Sequence, residues 1–175
     1  MAMNTPRDLF LHELADTLSA EHIIAKMIPP IAGKVKDEEL RDAMRAHAKE
    51  TKQHIKNLEA CFKALSEQPE QMVCHGAEGL QKEVDAFLEE QPAAEILTLF
   101  AAGAAGKTEQ YEIESYTGLI DMAKLLGEKE VVKLLQENLK QEQAMSKTVE
   151  AVEKRLGKEL ITSMREAEAA AANAG

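Results

Sequence analysis

LRDAMRAHAKETKQHIKNLEACFKAL, residues 40–65, carries a helical apolar stripe through Leu40, Met44, Leu58, Cys61 and Leu65, and sets His47, Thr51 and His54 into the same stripe with Glu50 on its flank. At about 100° per residue, steps of three, four and seven keep those side chains on one face, so two imidazoles point where the leucines point. Working outward, three further predicted helices each put one acid at the centre of their own apolar stripe. Glu21 lies between Leu14 and Ile28, Glu112 between Ala105 and Leu119, and Glu142 between Leu135 and Val149, each seven residues from its neighbours. A carboxylate facing a core is costly unless it is paired, protonated or bound to a metal.

The helices have recognisable ends. Thr5 and Pro6 begin the first, which the Pro29-Pro30 pair is expected to break. Asp37 is the N-cap candidate of the second, which reaches about Leu65. The third runs from about Pro92 or Ala93 to Leu126 and is stopped by Gly127; the fourth runs from about Glu128 to Leu156. The connection between the second and third, Ser66 to Gln91, is far longer than an antiparallel hairpin needs. Within it GAEGLQKEVDAFLEE, residues 76–90, reads as a short amphipathic helix. Two helical hairpins joined by one long crossover give an all-α fold, the ferritin-like four-helix bundle, with an extra helix in the crossover between helices 2 and 3. Residues 1–160 are expected to form this single domain, and the alanine-rich 161–175 a tail that frays.

Composition narrows the function. Of 175 residues 45% are hydrophobic and 30% charged, with a net charge of -10 and no tryptophan. An acidic surface with few aromatic platforms argues against nucleic acid and against anionic membranes. No apolar run approaches the roughly 20 residues of a membrane span, and the N-terminus lacks a signal-peptide pattern, so a cytoplasmic location is expected. The two cysteines show no CxxC spacing; Cys61 reads as a buried free thiol, and Cys74 falls in the connection.

Carboxylates and imidazoles converging in a bundle core suit two divalent ions, with iron or manganese the first expectation and zinc next. The candidate ligands are Glu21, His47, Glu50, His54, Glu109, Glu112 and Glu142. Glu109, toward the edge of its stripe, is left open as ligand, orienting group or solvent-facing acid. The usual pair of Glu-x-x-His motifs is missing: Gln53 follows Glu50 by three residues, and Met145 follows Glu142 by three. Glu50 must pair instead with His47 or His54. The bland alternative is a packing network in which the acids bond to Thr17, Thr108, Tyr111, Tyr116 or the histidines. No lysine or arginine falls centrally on an inner stripe to neutralise them, which favours metal.

DLFLHELADTLSAEH (8–22), HAKET (47–51), CHGAEGL (74–80), TEQYEIESYTGL (108–119) and LLQENLKQE (134–142) resemble, in order, the YciE/YciF-like family of small bacterial stress proteins. In the third-helix run Gln110 stands where relatives carry His, and Thr108 where they carry Val. The resemblance implies a ferritin-like bundle, a homodimer, a stress role and a rubrerythrin-like metal site. It places the family's acids on Glu21, Glu50, Glu109, Glu112 and Glu142 with His47 in HxxET, and makes His54 the less secure ligand. It assigns no reaction. Two functions follow as expectations: a dinuclear oxidoreductase acting on dioxygen or peroxide, or a non-catalytic helical homodimer that acts through protein contacts and keeps a structural or vestigial metal site.

Overall fold

The computed structural model describes residues 3–173. It consists of α1 (Pro6–Ala32), α2 (Glu38–Ala64), a short α3 (His75–Glu89), α4 (Ala94–Leu126) and α5 (Lys129–Asn173). No strand occurs among the described residues. Nor is any of their helices long and apolar enough to cross a membrane.

Local chemistry sets the helix ends. Thr5 Oγ1 accepts from the Asp8 amide at 3.1 Å while Asp8 Oδ2 accepts from the Thr5 amide at 2.8 Å, a reciprocal capping box with Pro6 following. Asp37 Oδ1 caps α2 through the Leu40 amide at 2.9 Å. Gly127 closes α4 with φ of 80°, a left-handed value that glycine adopts without a side-chain clash.

Two helices outrun their expected ends. Pro29 and Pro30 lie inside the last turn of α1, which continues to Ala32 because the buried Ile31 and Ala32 hold that turn against the core. The ring nitrogens cost two amide donors, yet the Gly33 amide still bonds the Pro29 carbonyl at 3.2 Å. Likewise α5 passes Leu156 and stays helical through the alanine-rich stretch to Asn173, with exposed side chains from Glu166 onward. Alanine, glutamate and arginine are strong helix formers, and Gly157 alone does not stop them. Residues 174 and 175 of the expected tail, and 1 and 2 at the other end, lie outside the described residues.

Polar contacts fix the directions. Arg7, at the start of α1, reaches Glu128 beyond the end of α4 at 3.5 Å, and Lys36, just past α1, donates its amide to Thr98 at the start of α4 at 3.1 Å. Arg155 on α5 reaches back to Asp37 at 2.8 Å. Hence α1 opposes α4, α2 opposes α5, and α2 runs parallel to α4. A parallel step from α2 to α4 has to traverse the bundle, and the crossover with α3 does so, packing on α1 and α4. This is the ferritin-like connectivity.

The apolar core is in two parts. One gathers Ile24, Ile28, Leu40, Met44, Ala101, Met145 and Val149 toward the α1–α2 turn. The other gathers Phe10, Leu14, Leu58, Phe62, Leu119 and Leu135 toward the α4–α5 turn. Between them lies a layer of buried polar groups: Glu21, His47, Thr51, His54, Glu109, Glu112, Asn138 and Glu142.

Candidate metal centre

Helix geometry brings the acids to one level. Glu112 precedes Gly127 by the same distance along the chain as Glu142 follows it, so the α4–α5 hairpin sets them opposite one another. Across the α1–α2 turn, Glu21 and His54 are placed almost symmetrically about Asp37, whereas Glu50 is a full turn nearer to it. His54, not Glu50, is therefore the α2 group at the level of Glu21. The extension of α1 through Pro29-Pro30 causes that shift. The potential ligand atoms form two groups: His47, Glu109, Glu112 and Glu142 in one, and Glu21, His54 and Glu142 in the other, with the atoms of each group within 4.8 Å of one another. Glu142 belongs to both.

Distances within the cluster are short. His47 Nε2 lies 3.4 Å from Glu109 Oε1 and 3.4 Å from Glu142 Oε2. His54 Nδ1 lies 2.8 Å from Glu142 Oε1 and 3.3 Å from Glu21 Oε1. The histidine contacts are ion pairs when the imidazoles carry protons, and outside them Glu21 Oε2, Glu109 Oε2, both oxygens of Glu112 and of Glu142, His47 Nε2 and His54 Nδ1 are all buried without an aligned hydrogen-bond partner. Orphaned buried polar atoms are rare in native proteins, and eight facing one another need a common cause.

The opposite ring nitrogens are satisfied. His47 Nδ1 donates to Glu50 Oε2 at 3.4 Å, and His54 Nε2 donates to Gln141 Oε1 at 2.7 Å. Each of these bonds places a hydrogen on the outer nitrogen and leaves the inner one able to take a cation, the usual support of a metal-binding histidine. Glu50, with 41% of its side chain exposed, stands outside both groups. Its place is that of a carboxylate orienting His47. Glu109, which the sequence left open, is 2% exposed and belongs to the first group.

A chain of amides supports Glu21. Gln53 Nε2 donates to Asn57 Oδ1 at 2.9 Å, Asn57 Nδ2 to Asn138 Oδ1 at 2.7 Å, and Asn138 Nδ2 to the Tyr116 hydroxyl at 3.0 Å; Tyr116 then donates to Glu21 Oε1. Every link points inward, so Oε1 is engaged and Oε2 remains free. The sequence reading missed Asn57 and Asn138. The signal was available: Asn138 falls four residues before Glu142 on the same stripe, a poor place for an amide without a buried partner. Thr17 and Thr108, offered as partners for the acids, instead donate to Glu13 and Ala104 carbonyls of their own helices. Tyr111 turns to Cys74 Sγ at 3.0 Å and Asp16 at 3.4 Å. Cys74 caps α3 through the Ala77 amide, and burial pushes the Cys61 thiol up to about 12.

Without a cation the layer must hold protons. Burial, then Glu142, pushes Glu109 up to about 11; burial and the same neighbour carry Glu112 well above the carboxylate range, and burial raises Glu21. Burial works against the charged form of His54, yet Glu142 and Glu21 raise it to about 10; burial opposes ionised Glu142 too, but His54 and His47 hold it below the usual range. Ionised in full, the four acids Glu21, Glu109, Glu112 and Glu142 carry four negative charges. No lysine or arginine is among the buried described residues to answer them, whereas two divalent cations would. The donor set, oxygen-rich with two imidazoles and no thiolate, matches iron or manganese better than a structural zinc site. The residues fit the group.

Comparison with known proteins places this chain in a family. A family model described as a domain of unknown function (DUF892) matches residues 5–162. The Escherichia coli K12 protein YciF is 34% identical over 145 residues, covering 82% of this chain and 87% of its own. The crystal structure of the E. coli stress protein YciF superposes with a TM-score of 0.85 over 89% of this chain and 99% of that one, at 30% identity. A Rhodopseudomonas palustris protein described as a putative structural protein, YcfI, gives 0.82 over 85% and 95%, at 32% identity. Symerythrin from Cyanophora paradoxa, at 16% identity and a TM-score of 0.63 over 89% of this chain and 87% of that one, shares the fold. With the family model spanning nearly its whole length and YciF aligned over most of both chains, this ferritin-like protein belongs to the YciF-like DUF892 family.

Proposed function

We propose that the protein binds two divalent metal ions in the bundle core and acts as an oxidoreductase on dioxygen or peroxide. The observation that carries the reading is the set of eight buried potential ligand atoms that face one another without a hydrogen bond, with Glu142 common to both groups. His47, Glu109 and Glu112 would hold one ion and Glu21 and His54 the other, with Glu142 between them. A bound pair of iron or manganese ions would supply the electrons that reduce the oxidant. The chain's own residues prepare the place: Glu50 and Gln141 fix the imidazoles, Tyr116 fixes Glu21, and the two apolar half-cores keep bulk water out. The E. coli relative described as a stress protein fits an oxidant-facing role.

The test is metal content after purification from iron- or manganese-replete cells. About two redox-active ions per chain are expected, falling to one or none in Glu142→Ala, because that residue serves both positions. Zinc alone, or no metal, would overturn the redox reading and leave a non-catalytic bundle. We also propose that the protein is a cytoplasmic homodimer, with the exposed Leu9, Ile96 and Leu125 offering apolar surface for a two-fold contact. Light scattering at twice the chain mass checks the dimer, and a large shell would overturn it.

A further inference from the structure

One side of the polar layer is closed and the other is not. On the Glu21–His54 side, Tyr116, Asn138 and Gln141 fill the space with hydrogen bonds. On the His47–Glu109 side a cavity of about 30 Å³ adjoins the layer. Three methionines line it, Met27, Met44 and Met145, together with Ala104. Its floor is His47 and Glu109, whose Oε2 has no partner. The half-exposed Met27 marks the side toward solvent. Thr108 also lines the cavity, but its hydroxyl is spent on the Ala104 carbonyl at 3.0 Å. The walls therefore offer no free donor above the floor.

Size and polarity decide what such a space admits. A water needs roughly 10–15 Å³ of this kind of volume and two to four polar partners, while apolar cavities stay dry and take up apolar guests. About 30 Å³ is room for a guest of about two heavy atoms and no more. Between the apolar walls hydrogen peroxide, a double donor and acceptor, would give up its hydrogen bonds until it reached the floor; a nonpolar diatomic gives up none on the way. Methionine side chains, unbranched and rotatable, can part for a guest and close behind it.

We propose that this cavity is the path and docking place by which dioxygen, and not a polar oxidant, reaches the His47–Glu109 side of the cluster. The inference rests on the dinuclear reading and narrows its substrate. Two measurements test it. Crystals of the metal-free wild-type protein under xenon pressure should show a xenon atom between Met27, Met44 and Met145; xenon absent from this cavity overturns the proposal whether or not metal binds. In ferrous-loaded protein, Ala104→Leu, which fills the cavity, should slow reoxidation by dioxygen about tenfold or more, with iron content and the rate with hydrogen peroxide unchanged. Equal slowing with both oxidants, or with neither, overturns it. A wild type that holds no iron overturns the dinuclear reading itself, an outcome the xenon map separates from failure of the cavity alone.

Discussion

Glu112 offers the sharpest test of whether this layer exists to bind metal or to hold the bundle together. It is 1% exposed, and neither carboxylate oxygen has a hydrogen-bond partner. Burial, with Glu142, Glu21 and Glu109 nearby, raises its pKa well above the usual range, so in the metal-free protein it is a neutral acid with nothing to bond. Leaving a polar group in that state costs about 1–3 kcal/mol. Glu112→Leu, similar in volume and apolar, should recover that energy and raise the melting temperature of the metal-free protein by about 2–12 °C, taking about 2–4 °C per kcal/mol for a domain of this size. The wild type should in turn gain about 2.7 kcal/mol, or about 5–11 °C, when metal is supplied at about 100 times its dissociation constant. The variant should gain far less. Thermal melts of both proteins, with EDTA and with ferrous or manganous ion under nitrogen, read all four numbers. A network retained for packing requires the opposite sign: Glu112→Leu would then melt several degrees below wild type without metal. That result, or a metal-induced shift of equal size in both proteins, would refute the argument.

Tyr116→Phe should remove the donor to Glu21 while Asn138 keeps its bond to the His54 carbonyl at 3.3 Å; about 1 kcal/mol of stability and about tenfold in metal affinity should be lost, read by urea unfolding and chelator competition. The metal-free protein should weaken as pH rises. His54, at about 10, and Glu109, at about 11, keep protons in the folded state that the unfolded chain releases near 6.5 and 4.5, so between about pH 6.5 and 10 the native state binds more protons and stability falls, on the order of 1 kcal/mol or more per pH unit. Urea unfolding in EDTA across that window checks this, and flat or rising stability would contradict it; bound metal, standing in for those protons, should flatten the slope. Gly76→Ala should destabilise by about 1–3 kcal/mol, because the new methyl would lie 2.7 Å from the Tyr111 ring. Gly79→Ala, on the same helix with nothing within 4 Å, should stabilise by up to about 1 kcal/mol, and equal effects at the two sites would contradict the placement of α3.

The sequence disclosed the fold and most of the cluster because both depend on the helical period. Seven-residue steps put Glu21, Glu112 and Glu142 on their stripes, and the long stretch between Leu65 and Pro92 demanded a crossover. The period does not separate a side chain that enters the cluster from one that stands at its edge. Glu50 and His54 both follow His47 on α2 at helical spacing, yet His54 is fully buried and Glu50 stands at the edge. Only the level of Glu21 on the facing helix tells them apart. That level depends on where α1 ends, which the proline pair conceals. The Asn57–Asn138 link was harder still, since the stripe position of Asn138 calls for a buried partner but does not name it until α2 and α5 are seen to meet.

The position of the polar layer is itself an argument about its purpose. It divides the core, so that Met44, Met145 and Val149 pack on one side of it and Leu58, Leu119 and Leu135 on the other. A bundle selected for stability alone would run leucines through this level, since a packed apolar layer commonly matches or exceeds a buried ionic one. The parts of the layer away from the cluster are fully bonded: Thr51 to the His47 carbonyl, Asn57 to Asn138, Asn138 to Tyr116. Only the inward atoms are left without partners. A defect of packing would leave orphans scattered through the layer. Orphans confined to the inward atoms of two histidines and four glutamates, with both imidazoles and Glu21 held by satisfied neighbours, are what a site prepared for cations requires.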